Sequence, residues 1–295
     1  MLDFKLKVFL SASRSLSFTK AATENFISQP AVSKIIKQLE LQIGHHLFER
    51  KGAKLELTRA GEILMGHLEQ VSQTEKQLQF DLGLLSNEHK GVFTIGASTT
   101  IAQYVIPKLL LQFSNVYPNL EVKLLSGNTN EVEHAMLEKR VDLGVVEGVS
   151  HRSGLRYIPF MDDDLVVCCH KSNPIASRGD ITLELLQNQP VLLRERGSGT
   201  LEVIEYALRS SGLRLSNLNV KLYLGSTESI KNALEAGTCI AIISRLAVRK
   251  ELEVGSIKQL HIADISFRRE LAFVTPVGGA TGIADSFIQF VRINR

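Results

Sequence analysis

The sequence predicts a mixed fold: an all-α N-terminal unit of short helices with a small β-wing, a long helix, and then an α/β body. Three observations carry this. Ser17 to Glu40 reads as two short helices around a tight connection, the second with sharply different faces. Residues 58–88 contain no proline and repeat apolar residues at 4-3 spacing. After Gly91 short β-branched runs alternate with helical stretches, the pattern of parallel βαβ construction.

The elements follow in order. Leu2, Leu6, Phe9 and Leu10 recur at i, i+4, i+7 and i+8, an amphipathic first helix. Ser17 or Thr19 is placed to cap the second helix, where Ala21 and Ala22 permit close helix contact. Ser28 is placed to cap the third, with Pro30 in its first turn, where a missing N–H costs nothing. Around the third helix, Val32, Ile35, Ile36 and Leu39 fall on one side and Gln29, Ser33, Lys34 and Lys37 on the other. The apolar side must pack on a core. The opposite side offers an amide, a hydroxyl and two ammonium groups, which suit base edges and phosphates and point to double-stranded DNA. Leu41 to Phe48 closes the unit around Gly44. A basic turn, Arg50-Lys51-Gly52-Ala53-Lys54, and then Leu55-Glu56-Leu57 read as a small β-wing.

Thr58 is expected to cap the long helix. Leu64, Leu68, Val71, Leu78, Leu82 and Leu85 form its seam, with Glu75 in the one seam slot that is not apolar. Such a helix reaches roughly 45 Å. Its seam must be buried, by pairing with a second copy or by lying on its own domain, and pairing is the expectation. In the body, the expected strands lie in VFTIGA, LEVKLLSG, VDLGVVEG, RYIPF, LVVCCH, PVLLRE, NVKLYLG, CIAIIS and ELAFVTP.

Composition narrows the function classes. The 295 residues suffice for about two domains. No apolar run approaches the roughly 20 residues needed to span a bilayer, and MLDFKLKVFL lacks a signal-peptide layout, so a cytoplasmic protein with no membrane partner is expected. Residues 1–60 hold ten Lys/Arg against five Asp/Glu, a net of +5, whereas the whole chain is +3, so residues 61–295 are about −2. A basic unit on a slightly acidic body suits nucleic acid at one end. Cys168 and Cys169 are adjacent in an apolar run and point to opposite faces of a strand, and Cys239 lies in another, so reduced buried thiols are expected. The eight histidines show no metal-ligand spacing, and His45 and His46 read as turn residues at the surface.

Two strand-to-helix junctions share a composition: Ala97-Ser98-Thr99-Thr100 and Gly197-Ser198-Gly199-Thr200. Gly127-Asn128-Thr129-Asn130 is a third. Each puts hydroxyls and backbone N–H groups at a helix N-terminus, which attracts anions. In an open α/β sheet these junctions lie where ligands bind. Gly197 and Gly199 would let a ligand approach the backbone. Plain helix capping explains any one junction; the set, and a glycine-rich GSGT, favours a binding site. There is no GK[ST] phosphate loop and no Ser, His and Asp set, so no catalytic residue, no cofactor and no metal are expected. Asp162-Asp163-Asp164 reads as a solvated crossover turn rather than a metal or acid/base site. Glu147 has two open readings: a cleft residue that repels acidic ligands or accepts a donor, or an exposed loop residue.

These residues resemble the LysR-type transcriptional regulators over the whole chain. The resemblance rests on Ser17 to Glu40, Leu47-Phe48-Glu49-Arg50, Leu57-Thr58-Arg59-Ala60-Gly61 and the later GSGT. It implies a winged helix-turn-helix at 1–58, a linker and dimerisation helix at 59–90, and a two-lobed effector domain at 91–295 similar to a periplasmic binding protein. Crossovers near 162–164 and 265–269 would leave lobe I at about 91–163 and 267–295, and lobe II at about 164–266. The effector would lie between the lobes. Carried over by position, Ser98, Thr99, Thr100, Thr129 and Thr200 would line its site, with Glu147, Gly197, Ser198 and Gly199 beside them. Gly127-Asn128-Thr129, Val146-Glu147-Gly148 and the stretch from Arg196 to Thr200 look like the branch containing regulators of sulfur assimilation, which implies a small anionic effector, a sulfur oxyanion or carboxylate. Ser28, Gln29, Pro30, Ser33, Lys34 and Lys37 would meet the duplex, joined by Arg50, Lys51 and Lys54 of the wing. Lys34 departs from the arginine common in the family and lacks its planar fork. The resemblance also implies a homodimer through the linker helix, assembling further to a homotetramer. Two other classes are left open: a solute-binding protein without enzymatic activity, and an enzyme, for which the sequence shows no nucleophile–base pair or cofactor loop.

Overall fold

In the computed structural model the described residues are 3–52, 54–86, 91–262, 265–280 and 282–294. The chain divides into two compact units, Met1–Glu88 and His89–Arg295. Leu2 and Ala53, part of two expected elements, and the side chain of Leu85 in the expected seam lie outside the described residues.

The first unit packs α1 (Phe4–Ser15), α2 (Phe18–Glu24) and α3 (Gln29–Ile43) around one apolar cluster, followed by the hairpin β1 (Phe48–Lys51) and β2 (Lys54–Leu57) and by α4 (Arg59–Ser86). Ser17 caps α2 by accepting from Lys20 N, and Ser28 caps α3 by accepting from Ala31 N. Val8, Phe9, Ala12, Ala21, Val32, Ile36 and Leu39 are buried together. Gly44 ends α3 at φ 78°, the left-handed conformation that glycine adopts without strain. The Glu40 carboxylate, on the last turn of α3, accepts from Leu47 N at 2.8 Å and so pins the entry to the wing. Thr58 caps α4 by accepting from Gly61 N at 3.1 Å. Gly61 is required there because a Cβ would sit 2.1 Å from the Leu47 carbonyl oxygen.

Along α4 the seam divides. Leu68 is buried and Leu64 half-buried against the unit's own core, while Val71, Leu78 and Leu82 are about half exposed.

The second unit is built on a nine-stranded sheet among the described residues. Its elements are β3 (Gly91–Ser98), α5 (Thr99–Tyr104), α6 (Ile106–Val116), β4 (Leu120–Gly127), α7 (Thr129–Leu137), β5 (Leu143–Glu147), β6 (Leu155–His170), α8 (Leu183–Asn188), β7 (Pro190–Arg194), α9 (Gly199–Ser210), β8 (Asn219–Leu224), α10 (Thr227–Leu234), β9 (Ile240–Ser244), α11 (Arg245–Val254), β10 (Ile257–Leu260), β11 (Phe267–Pro276) and α12 (Ile283–Ile293). Strand order is β4-β3-β5-β11-β6-β9-β7-β8, with β10 on the far end of β6. Parallel pairs β3–β4, β3–β5, β7–β8 and β7–β9 form two α/β halves. The antiparallel strands β6 and β11 join them. Apolar clusters divide the same way. Phe93, Phe113, Phe273 and Phe287 centre one half, and Leu186, Val191, Ile204 and Ile240 centre the other. We call these halves lobe I and lobe II.

One expectation fails here. RYIPF and LVVCCH are a single strand of 16 residues, and the acidic triplet between them is not a solvated turn. Strand alternation leaves Asp162 and Asp164 exposed and turns Asp163 inward, 4% exposed. The thiols behave as expected: all three are free and buried, with Cys168 and Cys169 in different apolar clusters. Burial pushes the Cys169 thiol up to about 11 and Cys168 further, so neither is a ready nucleophile.

Candidate functional site

In the first unit, the polar face of α3 is turned to solvent. Gln29, Lys34 and Lys37 are exposed and Ser33 is half-buried, while Val32, Ile36 and Leu39 hold the helix to the core. Gln29 Nε2 donates to Ser33 Oγ at 3.0 Å, which couples the two groups across one helical turn. Ser28 and Pro30 are exposed at the same N-terminus, where the helix dipole favours an anion. Arg50, Lys51 and Lys54 are all exposed on the wing. Lys51 differs from the others. It lies 2.8 Å from Glu56 and 3.4 Å from Glu49, and those carboxylates hold its ammonium above the ordinary lysine range. Arg50 and Lys54 have no ion pair among the described residues. The surface therefore has an amide and a hydroxyl on the first turns of one exposed helix face, with cations along that face and on the wing.

In the second unit, the three hydroxyl-rich junctions converge where lobe I meets lobe II, and Glu147 joins them. Ser98, Thr99, Thr100, Thr129, Glu147, Ser198 and Thr200 are all buried, at 1–8% exposure. This removes the exposed-loop reading of Glu147. Ser98 Oγ donates to its carboxylate, and Thr200 Oγ1 donates to Oε1 at 3.4 Å. Arg269 Nη1 lies 3.2 Å from the same Oε1 and donates to Thr200 Oγ1 at 2.8 Å. On its other side Arg269 Nε donates to Asp163 Oδ2 at 2.8 Å. Its Nη2 lies 2.7 Å from that oxygen, off the hydrogen-bond direction. Ser244 Oγ donates to Asp163 Oδ1 at 3.0 Å. Arg269 and Asp163 are direct cross-strand partners on β11 and β6. The cluster thus holds one cation between two carboxylates, a net charge of −1. Burial pushes the Asp163 carboxyl up, and Arg269 and Ser244 only partly offset this.

Around this ion cluster the lobes are fastened by direct bonds. Asn130 N donates to the Gly197 carbonyl at 3.1 Å, and Gly199 N to Thr129 Oγ1 at 3.2 Å. Thr129 Oγ1 donates in turn to the Glu147 carbonyl at 2.8 Å. Val149 N and Ser150 N both donate to the Glu202 carboxylate. The glycines of GSGT serve this contact. A Cβ on Gly199 would lie 1.8 Å from the Glu147 carbonyl oxygen, so the group that approaches its backbone is lobe I rather than a ligand. Gly197, at φ 88°, faces Asn128 and Asn130. Farther along, Thr100 and Thr227 hydroxyls meet at 3.3 Å, and Tyr104 donates to Glu228.

Comparison with known proteins gives these two sites a setting. The pattern described as "LysR substrate binding domain" matches residues 86–294, and "Bacterial regulatory helix-turn-helix protein, lysR family" matches residues 4–62. The chain belongs to the LysR family of transcriptional regulators. The HTH-type transcriptional regulator CysL of Bacillus subtilis is 33% identical over 290 residues, 98% of this chain and 96% of CysL. The regulator YeiE of Escherichia coli K12 is 35% identical over 262 residues, 88% of this chain and 85% of its own. Among solved structures, the regulatory domain of CcmR from Synechocystis PCC6803, in complex with 2-PG, is 28% identical with a TM-score of 0.63, covering 70% of this chain and 97% of that one. Full-length OxyR of Pseudomonas aeruginosa shares the fold, with a TM-score of 0.70 over 99% of this chain and 94% of its own, at 20% identity.

The regulator is therefore a DNA-binding protein with an effector-binding domain, and the solute-binding alternative is set aside. Among the described residues no helix is long and apolar enough to cross a membrane. Sequence reasoning missed the roles of Asp163, Arg194, Ser244 and Arg269 at the lobe junction, and of the outer contacts Tyr104, Glu202, Thr227 and Glu228. Asp163 and Arg269 carried a usable signal, because each stands at the buried parity of a strand that alternates with exposed residues. Arg194 carried none, since it ends a strand buried almost throughout.

Proposed function

We propose that the regulator binds promoter DNA through α3 and the wing and is modulated by a small anion held between the lobes of its second unit. In this reading the unit 1–58 grips the duplex, 59–90 dimerises, and 91–295 senses. Gln29 and Ser33 read base edges, Lys34 and Lys37 contact phosphate, and Ser28 and Pro30 present the helix N-terminus to the backbone. Arg50 and Lys54 take the larger share of the wing's contacts, because Lys51 must first leave Glu49 and Glu56. The exposed seam at Val71, Leu78 and Leu82 supports pairing of two linker helices, and dimers of such dimers would give a tetramer. The protein works in the cytoplasm, without catalysis, metal or cofactor.

The observation that carries the sensing half is the convergence of buried hydroxyls from both lobes at the strand ends. CcmR, solved with 2-PG in its regulatory domain, supports a small anionic ligand for this domain type. CysL, matched over nearly the whole chain, keeps sulfur oxyanions among the candidates. Carboxylates remain alongside them. The effector acts by favouring one lobe arrangement through its differential affinity.

A gel-shift titration of promoter DNA at several salt concentrations tests the DNA half. Lys37→Ala is expected to weaken binding to all sequences alike and to reduce the log–log salt slope by about 1. An unchanged slope removes Lys37 from the phosphate contacts.

A further inference from the structure

Two buried guanidinium groups stand at the lobe junction, and their surroundings differ. Arg269 is flanked by Glu147 and Asp163. The hydroxyls of Ser98 and Thr200 already donate to the Glu147 carboxylate. That corner holds a built-in anion and a net charge of −1, so a further anion entering it meets repulsion, even though Arg269 Nη2, 2.7 Å from Asp163 Oδ2, also makes no aligned hydrogen bond.

Arg194 is the other. It closes β7 and is 1% exposed. Nε and Nη2 donate to the Glu195 carboxylate at 2.8 and 2.9 Å. Nη2 also donates to Thr99 Oγ1 of lobe I at 3.2 Å and to the Gly225 carbonyl at 3.3 Å. Nη1 is buried and has no partner among the described residues. A charged nitrogen shut away from bulk water with its donors unspent is costly and calls for an acceptor. Gly225 lies just before α10, so the N-terminal end of that helix adds to the positive potential.

We propose that Arg194 is the anion-receiving residue of the effector site, taking one oxygen of a compact oxyanion on Nη1, while Glu147 bars a second negative charge from the opposite corner. This rests on the between-lobe reading above and names where within it the charge goes. Glu195 is the internal competitor. Its side chain is 27% exposed and neutralises Arg194 when the site is empty. The guanidinium reaches Thr99 from lobe II, so an anion on Nη1 consolidates the arrangement in which that bond exists.

The test is a thermal-shift titration of the full-length protein with inorganic sulfite, sulfate, phosphate and 2-PG, which separates inorganic from organic sources of the same chemistry. At least one is expected to stabilise the wild type. Arg194→Lys keeps the charge but loses the fork, and should weaken that anion about tenfold. Glu195→Gln removes the competitor, and should tighten it about fivefold. Glu184→Gln, on the exposed side of α8, makes the same charge change and should leave affinity unaltered. If the wild type binds and both Arg194→Lys and Glu195→Gln match it, the anion sits elsewhere in the cleft; this inference falls and the effector reading stands. If Arg194→Lys does not fold, Glu195→Gln decides alone, and unchanged affinity overturns the proposal. If none of the four stabilises the wild type, the compact-oxyanion reading falls together with it.

Discussion

Replacing Arg269 by methionine removes the cation from the buried cluster and leaves its shape nearly filled. Glu147 and Asp163, 2% and 4% exposed in the native protein, are left with no counterion between them. Each carboxylate is within 3.2 Å of a guanidinium nitrogen in the native protein. At an effective dielectric near 20, a pair about 4 Å apart in charge centre is worth about 4 kcal/mol before desolvation. Desolvation offsets most of the gain from having the triad at all, but not the loss from breaking it, and removal of one buried partner typically costs about 3–5 kcal/mol. The assay is urea unfolding of the full-length protein, followed on the transition of the second unit, at neutral and at acid pH. The sign with pH follows from Asp163. Its folded pKa already lies above the ordinary carboxylate value, so its contribution is fully present below the unfolded pKa and is lost as pH rises through the folded one. Without Arg269 that folded value climbs further, so the variant's deficit should be largest near neutrality and shrink in acid. A loss below about 1 kcal/mol at neutral pH, or a deficit that does not change with pH, would refute a buried and charged triad.

Two further outcomes follow from the other contacts between the lobes. Tyr104→Phe removes the donor to Glu228. Burial and that carboxylate push the Tyr104 phenol far up, so the wild type should lose stability as pH climbs past the ordinary tyrosine value, and the variant's alkaline limb should be flatter in a pH series of thermal melts. Gly199→Ala places a methyl 1.8 Å from the Glu147 carbonyl oxygen, so the lobes must part there; a stability loss of about 1–3 kcal/mol and a weaker anion-induced thermal shift are expected, and wild-type values for both would show the contact to be dispensable.

Much of this architecture was legible because local chemistry and global fold agree. The two faces of α3, the caps at Ser17, Ser28 and Thr58, and the βα alternation after Gly91 all follow from periodicity and turn chemistry. The linker seam was half legible: spacing alone does not say that Leu64 and Leu68 belong to the domain's own core while Val71 and Leu78 stay exposed. The acidic triplet was misread because three aspartates resemble a turn, whereas strand parity makes the middle one an interior residue. The GSGT glycines were recognised as points of close approach, but the approaching group is the Glu147 carbonyl from 52 residues earlier in the chain, which no local pattern reveals. Arg194 was invisible for the same reason. Its significance lies in Thr99 and Gly225, brought to it only by folding.

The placement of Arg269 bears on how an effector signal would travel. The residue is on β11, one of two strands that pass between the lobes, and its partners come from three places: Glu147 at the end of a lobe I strand, Asp163 on the other connecting strand, and Thr200 at the start of a lobe II helix. A change in the angle between the lobes must therefore exchange partners around a buried charge. Intermediate angles would leave that charge half satisfied, at a cost of several kcal/mol. Such a hinge favours discrete states over graded bending, as packed and charged interiors generally do. The outer bonds, from Val149 and Ser150 to Glu202 and from Tyr104 to Glu228, span the same junction on different sides. On the proposal above, an anion would need only to bias one such arrangement over another, and an advantage of about 1.4 kcal/mol shifts their ratio tenfold.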